Sequence, residues 1–348
     1  MISKRYTLRT SSNLYSGIVE HLKNNHNFCD LYYRDNYKCM KNKLSLIVDI
    51  IRDIYFTFKV AGKINNADTV IGFSYMGLAL LIFTKMRIIN VRKKYWYGLF
   101  LHSQIAIDLL GYLLKIFDDG KTIFVVFSKY EITLYSKHLK LPKDRFRYVP
   151  LPYYPPNPEA KTEFTNNYKP KYQSYYFSGG YSNRDYIALI NVFREVKENL
   201  IIACSHLNTE IENIKISDNI SILYDVKTYN FIELLMGSKA CILPMKSNTG
   251  AAGQMVVADS MYLKKVIIAS NTDIIKEYVD DGITGILLGN IMQDLPTVLK
   301  DITIYPKKFQ QMGERAYKSL LNRYSKEMVY EEVTKLVGSQ DEVITMIS

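Results

Sequence analysis

Several features that would narrow the function are missing from this sequence. It has four cysteines in 348 residues, with neither a CxxC pair nor a Cys/His cluster at metal-ligand spacing. We therefore interpret Cys29, Cys39, Cys204 and Cys241 as reduced thiols, which excludes a disulfide scaffold and a zinc module. It has one tryptophan, no low-complexity tract and no internal repeat of fixed period.

The sequence also has no apolar run long enough to cross a bilayer. Residues 69–84 are uncharged but number 16, fewer than the roughly 20 that a spanning helix needs. Residues 96–117 are apolar overall but include His102, Asp108 and Lys115. Both runs predict buried strand-plus-helix pairs. Residues 1–10 are polar and lack the apolar core of a signal peptide, so we expect a cytoplasmic protein.

Charge is distributed unevenly along the chain. Residues 1–150 hold 24 Lys and Arg against 11 Asp and Glu, a net charge of +13, whereas residues 151–348 hold 21 against 23, a net charge of −2. A basic half predicts an anionic partner such as a membrane surface, a phosphorylated lipid or a nucleic acid. Nucleic acid is disfavoured because no known binding motif accompanies the charge.

A basic-aromatic stretch lies within this basic half. It runs from Lys85 and Arg87 through Arg92 to Trp96 and Tyr97. Cations attract anionic headgroups, and Trp and Tyr settle at membrane interfaces. The stretch therefore predicts peripheral contact with the inner face of the cytoplasmic membrane, with a solvated loop as the alternative.

Short apolar runs alternate with helical patterns, which predicts an α/β fold of two doubly wound Rossmann-like domains facing across a cleft. Five prolines between Pro150 and Pro158 indicate a break between them. The predicted organisation is an N-terminal Rossmann-like domain (1–152), a linker (153–172), a C-terminal Rossmann-like domain (173–305) and C-terminal helices packing back towards the first domain (306–348). The predicted strands include Phe28–Tyr33, Tyr97–His102 and Leu200–Cys204, and the predicted helices include Lys129–Leu139 and Ile274–Asp280.

The first candidate site is a strand that runs into Gly179 and Gly180, followed by a polar loop and a helix. Glycines allow close backbone approach, and a helix N-terminus offers free N–H groups to an anion. Arg184 adds a cation whose fork geometry suits a phosphate. An ordinary α/β turn is the alternative reading.

The second candidate site follows a strand that ends at Pro244. A loop of small residues leads into a helix that begins near Gly253, and such a loop lets backbone N–H groups reach a pyrophosphate. Asp259 lies in the second turn of this helix, where its carboxylate could accept both ribose hydroxyls. A surface Asp on an ordinary helix is the alternative. The loop residues singled out are Asn248, Thr249, Gly250, Ala251, Ala252, Gly253 and Gln254.

The segments AAGQMVVADSMYLKKVIIAS and EYVDDGITGILL resemble the donor-binding region of GT-B glycosyltransferases, especially family-4-like enzymes of bacterial surface-polysaccharide assembly. In this resemblance Asp259-Ser260-Met261 takes the place of the family's Glu-Ala-Met. The resemblance implies Asp259 as the ribose ligand and the backbone of residues 250–254 as the diphosphate site. It also implies Arg184 on the donor phosphates and the backbone near Asp225 and Val226 at the nucleobase.

The resemblance implies two sites in the N-terminal half as well. Ser16-Gly17-Ile18 resembles the family's first glycine loop, which implies that Gly17 approaches the donor phosphates. His102, at the end of the predicted strand, takes the place of a His or acidic residue, which implies a catalytic role. A hydrogen-bonded structural histidine is the alternative.

Two departures from the family pattern concern the sugar. The family has a second Glu before the ribose-binding one, whereas this chain has Ala251 and Ala252 there, and Lys264-Lys265 replaces the family's Gly-Lys-Pro turn. Sugar recognition must therefore use other groups. The departures leave the donor sugar and the stereochemistry open.

The resemblance implies transfer of a sugar from a nucleotide-sugar donor, with UDP-sugar favoured, to a saccharide or polyisoprenyl-diphosphate-linked acceptor. It implies that the domain over residues 1–152 binds the acceptor and that the domain over residues 173–305 binds the nucleotide-sugar. We expect no cofactor and no metal, since no Asp-x-Asp motif is present, and retention is slightly favoured. Two alternatives stay open: a non-catalytic nucleotide-binding scaffold of a polysaccharide-assembly complex, and a GT-B nucleotide-sugar epimerase.

Overall fold

The structure is a computed structural model that describes residues 3–10, 15–33, 43–99, 101, 104–156, 172–246 and 252–338, with only the backbone at 43–46 and 104. The chain divides into two compact units. The first comprises residues 1–151 and 327–348, and the second comprises residues 152–326.

The first unit contains a six-stranded parallel sheet in the order β2-β1-β3-β4-β5-β6. Its strands are β1 (Arg5–Thr10), β2 (Phe28–Tyr33), β3 (Ala67–Phe73), β4 (Val91–Tyr97), β5 (Thr122–Val126) and β6 (Phe146–Tyr148). Its helices are α1 (Ser16–His26), α2 (Lys43–Ile64), α3 (Met76–Lys85), α4 (Gln104–Phe117), α5 (Lys129–Leu139) and α11 (Lys326–Gly338). The strand order reverses between β1 and β3, as in flavodoxin-like folds.

The second unit contains another six-stranded parallel sheet, in the order β12-β11-β10-β7-β8-β9. Its strands are β7 (Tyr176–Gly179), β8 (Leu200–Cys204), β9 (Ile220–Tyr224), β10 (Ala240–Leu243), β11 (Val266–Ser270) and β12 (Ile286–Leu288). Its helices are α6 (Tyr186–Glu195), α7 (Thr228–Gly237), α8 (Gln254–Tyr262), α9 (Ile291–Ile304) and α10 (Pro306–Tyr324). This order is that of the Rossmann fold, with the reversal between β7 and β10. The two sheets confirm the predicted doubly wound α/β architecture.

Helix ends follow local chemistry. Ser128 caps α5 by accepting a hydrogen bond from the Tyr130 amide, and Lys140 ends that helix in the left-handed conformation. Asn290 caps α9 with its side chain. Pro296 lies in the first half of that helix. The two C-terminal helices pack in different units, α10 through Phe309 and Leu320 in the second and α11 through residues such as Val333 in the first.

The interpretation of residues 85–97 as a membrane-facing loop is wrong for its aromatic part, because residues 91–97 form the interior strand β4. Trp96 is buried and packs against Gly77, where a Cβ would fall within the indole ring. Lys94 is also buried, with its ammonium 2.6 Å from the Asp119 carboxylate. The predicted strand over residues 97–102 is wrong as well, since β4 ends at Tyr97.

A second correction concerns residues 274–280, which were predicted as a helix. They contain only a single 3-10 turn, Ile275–Glu277. Tyr278 and Val279 are buried in the core of the second unit, and this packing accounts for the apolar pattern there. Among the described residues, no helix has the length and hydropathy needed to cross a bilayer.

Candidate functional site

The candidate site lies at the carboxyl ends of β7 and β10, where the strand order of the second sheet reverses. The loops that follow these strands are hydrogen-bonded to each other. The Asp185 amide donates to the Pro244 carbonyl at 2.7 Å, and the Lys246 amide donates to the Asn183 carbonyl at 3.2 Å. Open α/β sheets bind ligands at such a reversal, so the topology brings the two sequence-predicted loops together where a ligand is expected.

Arg184 is the buried cation of this site. Its side chain is 3% exposed, and it donates to the carbonyls of Gly179 (3.1 Å) and Ser182 (2.6 Å). It also contacts the Met245 sulfur at 3.2 Å. The described residues provide it with no salt-bridge partner, and burial lowers its pKa. Arg184 therefore holds the loop after β7 in shape, while its predicted contact with phosphate stays a prediction.

Close packing explains why positions 179 and 180 are both glycine. A Cβ at Gly179 would fall within the ring of Phe231 from α7. Gly180 has φ +103°, and a Cβ there would lie 2.7 Å from Nη2 of Arg184. The glycine pair thus allows α7 and the buried guanidinium to approach the backbone.

The loop after β10 leads into α8. Asn248, Thr249, Gly250 and Ala251 lie outside the described residues, whereas Ala252, Gly253 and Gln254 lie within them. Gly253 has φ +89° and stands at the N-terminus of α8, where the described residues provide no side-chain cap. By contrast, Asp185 caps α6 by accepting from the Ala188 amide at 3.0 Å. An N-terminus without a side-chain cap suits a bound anion.

Asp259 is in the second turn of α8, as predicted, and is mostly buried. The Tyr153 hydroxyl donates to its carboxylate at 3.1 Å. Burial raises the pKa of Asp259 to about 6, although the hydrogen bond from Tyr153 opposes this shift. Its charge therefore changes close to neutral pH, which is common for functional carboxylates and unlike a solvated surface aspartate.

Tyr153 was not identified by sequence reasoning. It lies in the proline-rich stretch predicted as linker, 106 residues from Asp259. Its side chain is 4% exposed, and its amide donates to the Tyr324 carbonyl at 2.9 Å, which ties it to the end of α10. The sequence signal for it was limited to an aromatic residue next to the break.

Residues 176–319 match the family model described as glycosyl transferases group 1. This range contains both loops, Arg184 and Asp259. The match lies within the second unit and covers most of it.

Comparison with solved structures assigns the GT-B glycosyltransferase fold to the chain. Anabaena Alr3699/HepE, solved with UDP-glucose, has 12% identity and a TM-score of 0.65, covering 97% of this chain and 100% of HepE. Sucrose-phosphate synthase from Thermosynechococcus elongatus has 10% identity and a TM-score of 0.70, covering 98% and 100%. S. aureus MnaA, solved with UDP, has 14% identity and a TM-score of 0.55, covering 99% and 98%. At these identities the likeness shows the fold alone. No curated protein sequence matches the chain significantly.

The predicted nucleobase site in the second unit lies at the end of β9. Asp225 has φ +47°, and its amide donates to the Cys204 carbonyl at 2.9 Å, while Val226 packs against the core. Beside them the rings of His206 and Tyr224 stack with centroids 4.6 Å apart. Sequence reasoning did not identify this pair. The role of Asp225 and Val226 in base binding stays a prediction.

The two residues predicted in the N-terminal half have different outcomes. Gly17 is the second residue of α1, whose N-terminus follows β1 as the predicted glycine loop requires, and its contact with phosphate stays a prediction. His102 lies outside the described residues. β4 ends at Tyr97, five residues before it, and the catalytic role of His102 stays a prediction. No group of three or more His, Cys, Asp or Glu is placed to hold a metal within the described ranges.

Proposed function

We propose that this chain is a glycosyltransferase that moves a sugar from a nucleoside diphosphate-sugar, with a UDP-sugar favoured, to a saccharide or lipid-linked saccharide acceptor. The assembly of a surface polysaccharide is the proposed context. The observation that carries the proposal is the place of Asp259: a mostly buried carboxyl in the second turn of α8, within the residues that match the glycosyl transferases group 1 model. The solved complex of HepE with UDP-glucose, which has the same fold, supports the choice of donor.

The proposed roles follow from charge and geometry. Above a pH of about 6 Asp259 is a carboxylate and can accept hydrogen bonds from both ribose hydroxyls, while Tyr153 holds one of its oxygens in place. The N-terminus of α8 supplies backbone N–H groups for the diphosphate, beginning at Gly253. Arg184 keeps the loop after β7 against the loop after β10.

The leaving nucleoside diphosphate carries negative charge that a helix N-terminus and positive charge can stabilise. Transfer without a metal is therefore part of the proposal, and so is retention of the anomeric configuration. Retention rests on the family resemblance, and Ala251 and Ala252, where the family has a carboxylate, weigh against assigning a particular sugar.

A second candidate is a nucleotide-binding scaffold without transfer activity. The specific observation in its favour is the same pair of alanines, because the missing carboxylate removes a group that engages the sugar in the family. This candidate predicts donor binding with no turnover.

Release of nucleoside diphosphate separates the two candidates. The protein is incubated with UDP-, GDP-, ADP- and CDP-sugars in the presence of saccharide and polyisoprenyl-diphosphate acceptors, and the freed nucleotide is measured. Release from one donor class that requires an acceptor supports transfer. Binding of a donor by calorimetry with no release for any acceptor supports the scaffold, and no binding at all contradicts both.

A further inference from the structure

The outward face of α2 in the first unit is apolar. Ile47, Ile51, Tyr55 and Phe58 are each more than half exposed. Their spacing of four, four and three residues places them on one side of the helix. The same helix already has a core-facing side, where Val60, Ala61 and Ile64 are buried. The exposed stripe is therefore additional to the face that packs on the sheet.

The helix α4 repeats this arrangement. Ile105, Leu109, Tyr112 and Ile116 are 80, 58, 62 and 44% exposed and again share one side. Its buried side packs through residues such as Leu110 and Leu114. Single exposed apolar side chains are ordinary on protein surfaces, whereas two such stripes mark an interaction surface. We call these two stripes the α2/α4 face.

A cavity of about 190 Å³ opens between the two helices and is lined mainly by apolar side chains. Ile50 of α2 and Leu113 of α4 lie on its wall, and Leu109 belongs both to this wall and to the exposed stripe. Trp96 also lines it, and the described residues offer no acceptor to the buried indole Nε1. The cavity thus suits a hydrocarbon chain.

Exposed cations lie where the helices of this layer end. Lys59 and Lys63 are in the last turns of α2, Lys85 and Arg87 lie at and just after the end of α3, and Lys115 is in the last turn of α4. The carboxylates that follow α4 are already engaged, Asp118 with Arg145 at 2.8 Å and Asp119 with Lys94 at 2.6 Å. A basic edge therefore adjoins the α2/α4 face.

We propose that the α2/α4 face docks on the surface of a bilayer containing anionic lipid, with a hydrocarbon chain of one lipid in the cavity. Apolar stripes beside a basic edge are the features of segments that lie in a membrane interface. A second copy of the chain is the competing occupant of this face, and the test below distinguishes it from a bilayer. The proposal concerns the first unit and does not depend on the donor site.

The test is co-sedimentation with vesicles, using phosphatidylcholine alone and phosphatidylcholine mixed with phosphatidylglycerol. The variants are Ile51→Glu and Leu109→Glu, and the matched control is Ile304→Glu, which alters a 62% exposed isoleucine of the second unit. We expect the wild type to bind the anionic vesicles, each of the two variants to bind about tenfold more weakly, and the control to bind like the wild type. Circular dichroism of each variant checks that it is folded.

Two outcomes overturn the proposal. One is vesicle binding that is absent in the wild type or unchanged in both folded variants. The other is a wild-type dimer in analytical ultracentrifugation that both variants convert to a monomer, because the face would then join two copies of the chain. Calorimetric titration of UDP with the same variants reports on the donor site separately, so failure of one proposal is distinguishable from failure of the other.

Discussion

Each of the two units contains a six-stranded parallel sheet, but their unusual residues are buried in one unit and exposed in the other. In the second unit the unusual residues are polar and buried: Arg184 is 3% exposed, and Asp259 is mostly buried and accepts a hydrogen bond from Tyr153. In the first unit they are apolar and exposed, with Tyr55 at 65% and Ile105 at 80%. The same type of sheet therefore presents a buried polar site in one unit and an exposed apolar surface in the other.

The difference fits two different ligands. A nucleotide is small and charged, and its recognition gains from groups held in a fixed geometry away from water. A bilayer is large and flat, and its recognition requires apolar area on the outside of the protein, beside positive charge. The uneven charge of the sequence, +13 in residues 1–150 and −2 in residues 151–348, follows the same division.

The largest expected effect is on the stability of the first unit alone. Gly77→Ala places a Cβ within the ring of Trp96, and we expect this overpacking to lower the free energy of unfolding of the first unit by about 2–3 kcal/mol. Trp96 is the single tryptophan, so its fluorescence during denaturant unfolding reports on this unit.

The matched control for this change is Gly62→Ala, on α2, where a Cβ meets no atom within 4 Å. Alanine favours a helix over glycine by about 0.5–1 kcal/mol, so this variant should be slightly more stable than the wild type. Equal stability of the two variants would contradict the packing described here. Loss of UDP binding in Gly77→Ala under native conditions would show that the units are not independent.

An intermediate effect is expected from Tyr153→Phe in the second unit, where it should change the pH dependence of donor binding. The Tyr153 hydroxyl donates to Asp259 and lowers the pKa of that carboxyl, so its removal raises the pKa above about 6. If the carboxylate is the form that binds ribose, donor affinity falls as the pH drops through this pKa. The midpoint should therefore move to higher pH in the variant, by about one unit or less.

Calorimetric titrations with UDP across the pH range measure this midpoint. Tyr262→Phe is the control, because its ring lies 5.4 Å from that of Tyr153 and no hydrogen bond joins it to Asp259. A midpoint that stays in place in Tyr153→Phe, or moves to lower pH, would rule out the proposed coupling.

The smallest effect concerns the turn after α8. Lys264 has φ +57°, in the region that favours glycine, and stands where the resembling family has a glycine. It forms an exposed ion pair with Glu314 at 3.0 Å, which adds little stability. Lys264→Gly and Lys264→Ala both remove this pair, but the glycine variant alone relieves the backbone. We expect the glycine variant to be more stable than the alanine variant by about 1 kcal/mol in thermal unfolding, and the reverse order would contradict this account.

Sequence reasoning succeeded where the signal was local. The strands Phe28–Tyr33 and Leu200–Cys204 and the helix Lys129–Leu139 have the predicted bounds, since each is set by periodicity and capping residues within it. The place of Asp259 in the second turn of a helix was predicted for the same reason. The spacing from Gly253 fixes it without reference to the rest of the chain.

Sequence reasoning failed where the decisive contact joins residues that are far apart along the chain. Residues 91–97, which form β4, were predicted to contact a membrane because cations and aromatic residues are adjacent there. In the structure Lys94 pairs with Asp119, which lies 25 residues further along the chain. Tyr153 was not identified because its carboxylate partner is 106 residues away. The α2/α4 face was also missed, because an apolar helix pattern does not say which of its residues a neighbour covers.

Calorimetric titration of UDP against the wild type, Asp259→Ala and Glu195→Ala tests the central claim most directly. Glu195 is an exposed carboxylate at the end of α6 in the same unit and serves as the matched control. If Asp259 accepts two ribose hydroxyls, its loss should weaken binding about 100-fold, while Glu195→Ala should bind like the wild type. Equal affinity in all three proteins, or no binding by the wild type, would show that the donor site is not where this account places it.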